Sequence, residues 1–223
     1  LHFVKPVFDR RVFLKTCTNG SSELMTNLSM SLVNALYNLQ LMKIAGENGV
    51  AAYGAVMYVN FIFVATFLGY AIGCAPVISY HYGAGITQSL KICIKSMSII
   101  LVWGVILFGA AQLLAPVLSK IFVGYNTGLY AMTLHGFRVY AIAFLIIGIN
   151  IFGSSFFTAL NNGLISAVIS FLRTLMFQVI MVLTLPLWFG INGIWSAISV
   201  AEALTLIMTT TFFVRQKDKY HYL

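Results

Sequence analysis

The chain is a succession of long apolar runs separated by short polar punctuation. Each run is long enough to cross a bilayer, which takes roughly 20 helical residues. The pattern predicts six spans at about 17–42, 52–80, 93–114, 133–160, 164–187 and 192–214. In lipid every backbone polar group needs an internal partner, which leaves only helices and closed barrels. Barrel strands are short and alternate apolar with polar positions, whereas these runs are continuous. The predicted fold class is therefore all-α, a polytopic membrane protein built as a bundle of six transmembrane helices. Residues 1–16 then read as a cytoplasmic connector and 215–223 as a basic cytoplasmic tail.

The polar positions inside the spans are ordered. At about 100° per residue, Glu23, Asn27, Asn34 and Asn38 point within about 60° of one another, with Ser31 and Tyr37 beside them. Met25, Leu28, Leu32, Leu36 and Leu39 take the opposite face. A polar stripe of this kind in lipid must pack on protein or line water. The alternative is local: Asn19 caps the helix and Glu23 is a first-turn acid suited to the positive helix end. In the fourth span Asn150, Ser154, Thr158 and Asn161 share a face, and in the sixth Trp195, Ser199, Glu202 and Thr209 do so.

Ionisable residues within the hydrocarbon are costly and usually face a cavity. Of the five carboxylates, Asp9, Glu47 and Asp218 fall in loops or tails. That leaves Glu23 and Glu202 as candidate cation-coupling residues and Asn27, Asn34, Asn38, Asn150, Ser154 and Thr158 as candidate cavity-lining residues. Two readings of Glu202 stand at this point. It exchanges a proton against Na⁺, or it is structural, held by Arg173 or by a neighbouring Ser or Thr. Pro76, with Gly69 and Gly73 before it, is a hinge candidate. Pro76 and Pro186 also suit helix termination.

Composition and charge narrow the picture. Sixty per cent of residues are apolar and only 8% are charged, which excludes most soluble classes. Sorted by the loop each flanks, ten of the 13 Lys and Arg fall on one side, Arg173 among them. Lys43, Lys120 and Arg138 fall on the other. The excess predicts a multi-pass cell-membrane protein with both termini cytoplasmic. The net charge of +8 is then mostly topology and implies no nucleic-acid partner. Cys17, Cys74 and Cys93 show no paired spacing, and His81 and His135 lie at opposite predicted faces, so neither a disulfide framework nor a metal site is expected. There is no phosphate loop and no nucleophile with a nearby base. Enzyme chemistry and a bound cofactor are not expected, and uphill transport would have to draw on an ion gradient.

Two runs that close apolar helices carry a resemblance. Ala75 to Gly85, containing Tyr80-His81-Tyr82-Gly83-Ala84-Gly85, and Phe156 to Gly163 resemble loop signatures of the multidrug and toxic compound extrusion (MATE) transporters. The stretch through Ser170-Phe171-Leu172-Arg173, Leu185-Pro186-Leu187 and Gly190-Ile191-Asn192-Gly193-Ile194-Trp195 is similar to the last three helices of that family's C-terminal lobe, and Ala201-Glu202 falls where its last helix often carries an acid. The resemblance implies a twelve-helix protein of two six-helix lobes that expels lipophilic or cationic drugs in exchange for H⁺ or Na⁺ by alternating access. The chain would be the C-terminal lobe, with the N-terminal lobe of the same protein, the bilayer and a drug-like substrate as partners. Glu23 corresponds to an acid that serves coupling in one branch. Asn150 to Thr158 lie where that branch has a second acid, and here there is none. A lipid-precursor flippase of the same wider superfamily, or a non-transporting structural subunit, is the alternative; a flippase would be expected to show an arginine-rich cavity.

Overall fold

The computed structural model describes residues 9–85 and 87–220, and the described residues contain helix and no strand. Helix α1 (Arg10–Gly83) starts where the Asp9 carboxylate accepts hydrogen bonds from the backbone N–H groups of Arg11, at 2.8 Å, and Val12, at 3.4 Å. This is N-capping, which supplies partners to amides that have none within the helix. Residues 10–16, expected as connector, are therefore helical. The chain reverses at Gly46, whose φ of 63° and ψ of −153° belong to a region open essentially to glycine alone. Two arms result, 10–45 and 47–83.

Helix α2 (Thr87–Val123) continues through Pro116, beyond the end at 114 expected from sequence. The next helix begins at Thr127 rather than at 133, because Asn126 Oδ1 accepts from the amides of Gly128, at 3.0 Å, and Leu129, at 3.1 Å. Helices α3 (Thr127–Tyr140) and α4 (Phe144–Ala159) form one rod through a 3₁₀ turn, Ala141–Ala143. Helix α5 (Gly163–Phe171) passes through a π turn, Leu172–Met176, into α6 (Phe177–Tyr220), and α6 is itself broken at Gly190 (φ 54°, ψ −133°). The described chain thus makes six helical segments, with the basic residues Arg215, Lys217 and Lys219 still on helix. Neither Pro76 nor Pro186 ends a helix. Both lie inside one, and the glycines at 46 and 190 make the breaks instead.

The rod 127–159 is central. In its most apolar window 61% of residues are buried, against 17–22% in the other long helices. Its inward aromatics meet those of α6: the Phe213 ring lies 5.2 Å from that of Phe156 and 5.1 Å from that of Phe157. Packing of this kind is the main cohesive force where lipid is as apolar as the side chains. Close approach is set by small residues. A Cβ at Gly136 would fall 2.5 Å from the Trp195 indole, which is itself 1% exposed. The outer faces are lipid-like, with Leu28, Leu32 and Leu39 all more than half exposed. The molecule is an all-α, multi-pass membrane bundle.

Candidate functional site

Glu202 lies on the second arm of α6 and is 2% exposed. Asn150 on α4 holds it twice: the amide Nδ2 donates to Glu202 Oε2 at 2.7 Å and to the Glu202 carbonyl oxygen at 2.9 Å. One fully buried asparagine therefore fixes both the carboxylate and the turn of helix that carries it. Hydrogen bonds to a charged group are worth about 1.5–3 kcal/mol, and leaving such a group bare is worse.

Arg173 supplies the compensating charge acting on Glu202. The sequence places this arginine within the fifth span and offers it as a partner for Glu202. The structure puts it on the π turn Leu172–Met176, well inside the segment 163–189. A π turn admits one extra residue per turn and rotates all that follows, a local distortion common at functional positions.

The first arm of α1 approaches the same acid through aromatics. Tyr37 and Tyr53 stack with centroids 4.9 Å apart and planes 8° from parallel, and Tyr53 faces Trp195 at 6.5 Å. The Tyr53 hydroxyl donates to Asn34 Oδ1 at 2.9 Å. The Glu202 charge acts on both Tyr37 and Tyr140. Four buried polar atoms in this neighbourhood have no protein partner: the Tyr37 hydroxyl, Asn150 Oδ1, Trp195 Nε1 and Ser199 Oγ. Each such atom costs roughly 1–3 kcal/mol when nothing satisfies it. Buried polar atoms normally have a partner, so these four make the surroundings of Glu202 a candidate site.

The other predicted residues separate into two groups. Ser154 and Thr158 do not reach Glu202. Their hydroxyls join Ser166 and Ser170 of α5, with Thr158 Oγ1 to Ser166 Oγ at 2.6 Å, Ser166 Oγ to Ser154 Oγ at 2.9 Å and Ser154 Oγ to Ser170 Oγ at 2.8 Å. On α1 the face buried in the bundle is Ser29, Val33, Tyr37 and Leu41. The asparagine stripe lies beside that face: Asn34 is half-buried, while Asn27 and Asn38 are exposed. Glu23 lies on α1, and its side chain is outside the described residues.

Sequence reasoning missed the Ser166 and Ser170 pair, the π turn at Arg173 and the bridging role of Tyr53. The serine pair had a readable signal: two small hydroxyls spaced i, i+4 in an otherwise apolar segment, matching Ser154 and Thr158. The π turn has no such signal. Among the described residues, no three His, Cys, Asp or Glu side chains gather as a metal site.

Comparison with known proteins follows this geometry. The MatE family model matches residues 24–184. No curated protein sequence matches the chain. Among solved structures, a MATE transporter in complex with MaL6 superposes with a TM-score of 0.88 at 18% identity, covering 97% of this chain and 49% of that one. A multidrug resistance MATE family transporter of the MOP superfamily, in an outward-facing conformation, gives 0.87 at 19% identity over 98% of this chain and 50% of its own. A MOP superfamily transporter from Pyrococcus furiosus, whose binding pocket is of reverse polarity, gives 0.87 at 19% over 96% and 49%. At these identities the likeness is one of fold. The chain spans about half the length of each of these structures.

Proposed function

Because the chain belongs to the MatE family, we propose that it works as the C-terminal lobe of a twelve-helix secondary active transporter, which exports lipophilic or cationic drugs in exchange for H⁺ or Na⁺. The observation that carries this reading is the buried Glu202–Asn150 pair: a carboxylate deep in an apolar bundle, fixed by a single amide and ringed by polar atoms without partners. Such a group changes its interactions strongly when it gains or loses a cation, because in a low-dielectric interior charge is expensive. Binding a proton or Na⁺ there removes the demand on Asn150 and Arg173, and so favours one packing of α4, α5 and α6 over another. Glu23 is the second coupling candidate, and Asn27, Asn34 and Asn38 form the wall that meets the substrate. Pro76 serves as a hinge.

Transport then follows alternating access, with this lobe rocking against its N-terminal counterpart around a site between them. Antiport requires drug and ion to favour opposite states, each shifting the equilibrium only by its difference in affinity for the two. Both termini lie on the cytoplasmic side of the cell membrane, in keeping with the basic residues near the chain ends. Arg138 on α3 and Arg173 on the π turn fall short of the arginine-rich cavity that a lipid flippase would need for an anionic headgroup.

The test is efflux of tetraphenylphosphonium from cells making the full-length protein, with Na⁺ and proton gradients varied independently. Glu202→Gln is expected to lower coupled efflux by roughly tenfold or more at equal abundance. Glu23→Gln in the same assay assigns or removes the second acid. Undiminished coupled efflux in both variants would put the coupling site elsewhere, and no efflux from wild type would remove the drug-export reading.

A further inference from the structure

The hydroxyls of Thr158, Ser166, Ser154 and Ser170 touch in series, three contacts of 2.6, 2.9 and 2.8 Å between α4 and α5, and the Ser166 and Thr158 hydroxyls can also turn to donate to the Ser154 carbonyl oxygen, at 2.8 and 3.1 Å. The series starts near the Asn161–Asn162 turn, at one end of the bundle, and runs inward. Thr158 is half-buried there, so the chain has an outer end that can meet water, whereas Ser166 is fully buried and Ser170 is 4% exposed. Asn150 stands one helical turn further in than Ser154 on the same face of α4. Asn150 binds Glu202 through Nδ2, and its Oδ1 is buried without a protein partner. From the turn at Asn161 to the level of Asn150 the helix rises about 16 Å.

Small hydroxyls between membrane helices commonly act as glue, and this set does join α4 to α5. Glue does not account for two features. The contacts run end to end, each hydroxyl touching the next. One turn beyond Ser154 on α4 stands Asn150, bonded to the buried acid through Nδ2 and with no protein partner at Oδ1.

We infer that Thr158, Ser166, Ser154 and Ser170 are a proton relay that connects the Asn161–Asn162 end of the lobe with Glu202, a single water on Asn150 Oδ1 closing the last step. The inference rests on the reading of Glu202 as the exchanging carboxylate. A hydronium at the turn gives a proton to Thr158. Each hydroxyl accepts a proton on a lone pair and releases its own to the next oxygen. The last proton reaches the Glu202 carboxylate, leaving a carboxylic acid inside and a water outside, with no change in redox state. The charged and titratable groups facing that carboxylate are Arg173 from the π turn, Tyr37 from α1 and Tyr140 from α3. Arg173 holds the anion between transfers.

Hydrogen–deuterium exchange of the Glu202 carboxyl, followed by infrared spectroscopy on the full-length protein in lipid, tests this without reference to any substrate. The band is identified by its loss in Glu202→Gln. Ser166→Ala cuts the chain in the middle and is expected to slow exchange by roughly tenfold or more, Ser166→Thr to restore it, and Ser155→Ala, which bonds Ala71 off the line, to leave it unchanged. Azide, a permeant weak acid that carries protons past a broken relay, should restore both exchange and proton-driven tetraphenylphosphonium efflux in Ser166→Ala. If Ser166→Ala misfolds, Ser170→Ala interrupts the same line nearer Glu202. Unchanged exchange in both alanine variants, slowing that azide does not relieve, or absence of a Glu202 carboxyl band at any pH overturns the relay. Slowed and azide-rescued exchange in a protein that exports nothing upholds the relay while the drug-export reading fails. Proton-driven efflux with unaffected exchange leaves export standing and removes the relay alone.

Discussion

Two polar regions of this lobe are treated in opposite ways. Glu202 itself is answered from within the lobe: Asn150 gives it two hydrogen bonds, and Tyr37 and Tyr53 form a stacked wall nearby. Along the first arm of α1, Asn27 and Asn38 stand exposed, while the half-buried Asn34 accepts from the Tyr53 hydroxyl. A polar residue answered inside the lobe serves the lobe. On the proposed function, one exposed on a surface otherwise built for lipid serves something that comes to that surface. The difference teaches where to look for ion and for substrate: the acid is deep in the bundle, and the asparagines are at its face.

That division can be broken by substitution. The largest effect is expected at the packing that closes the inner region: Gly136→Leu drives a side chain into Trp195 and should abolish folded protein in a detergent size-exclusion assay. Asn150→Ala strips Glu202 of its donor and should cost about 2–3 kcal/mol in reversible unfolding. Asn150→Ala combined with Glu202→Gln should cost less than the sum of the two, since the bare charge is gone. Ser170→Ala should lower stability by about 0.6 kcal/mol, the typical worth of an interhelical hydroxyl bond. Asn38→Leu should change stability by less than about 0.5 kcal/mol and yet reduce transport by the full-length protein. A large loss of stability at Asn38 with no effect on transport would reverse the assignment of the two regions.

Much of this was legible in the sequence, and for identifiable reasons. Apolar run length gave the all-α membrane class, since no other backbone survives in lipid. Period 3.6 grouped Asn150 with Ser154 and Thr158, and Trp195 with Ser199 and Glu202, because residues four apart share a face. Periodicity does not say which neighbour a face meets. It set Asn150 and Glu202 apart as separate candidates, although they are hydrogen-bonded, and it did not separate the asparagine stripe of α1 from the buried face beside it, Ser29, Val33, Tyr37 and Leu41. Arg173, inside the fifth predicted span and a candidate partner for Glu202, sits on a π turn that leaves no sequence signal. A charge compensated by a distant residue leaves no local trace. The breaks at Gly46 and Gly190 fell to glycines, while the more conspicuous prolines lie in continuous helix.

Those two glycine breaks have a consequence for how the molecule is made and handled. At Gly46 the whole connection between two spans is a single residue, and at Gly190 likewise. Each pair of helices must therefore enter the bilayer together, as a hairpin released by the insertion machinery in one event, because neither half can wait at the surface on a tether. It follows that epitope tags, protease sites and fluorescent labels will be tolerated at the Asn161–Asn162 turn far better than at either glycine, where one inserted residue has no slack to occupy.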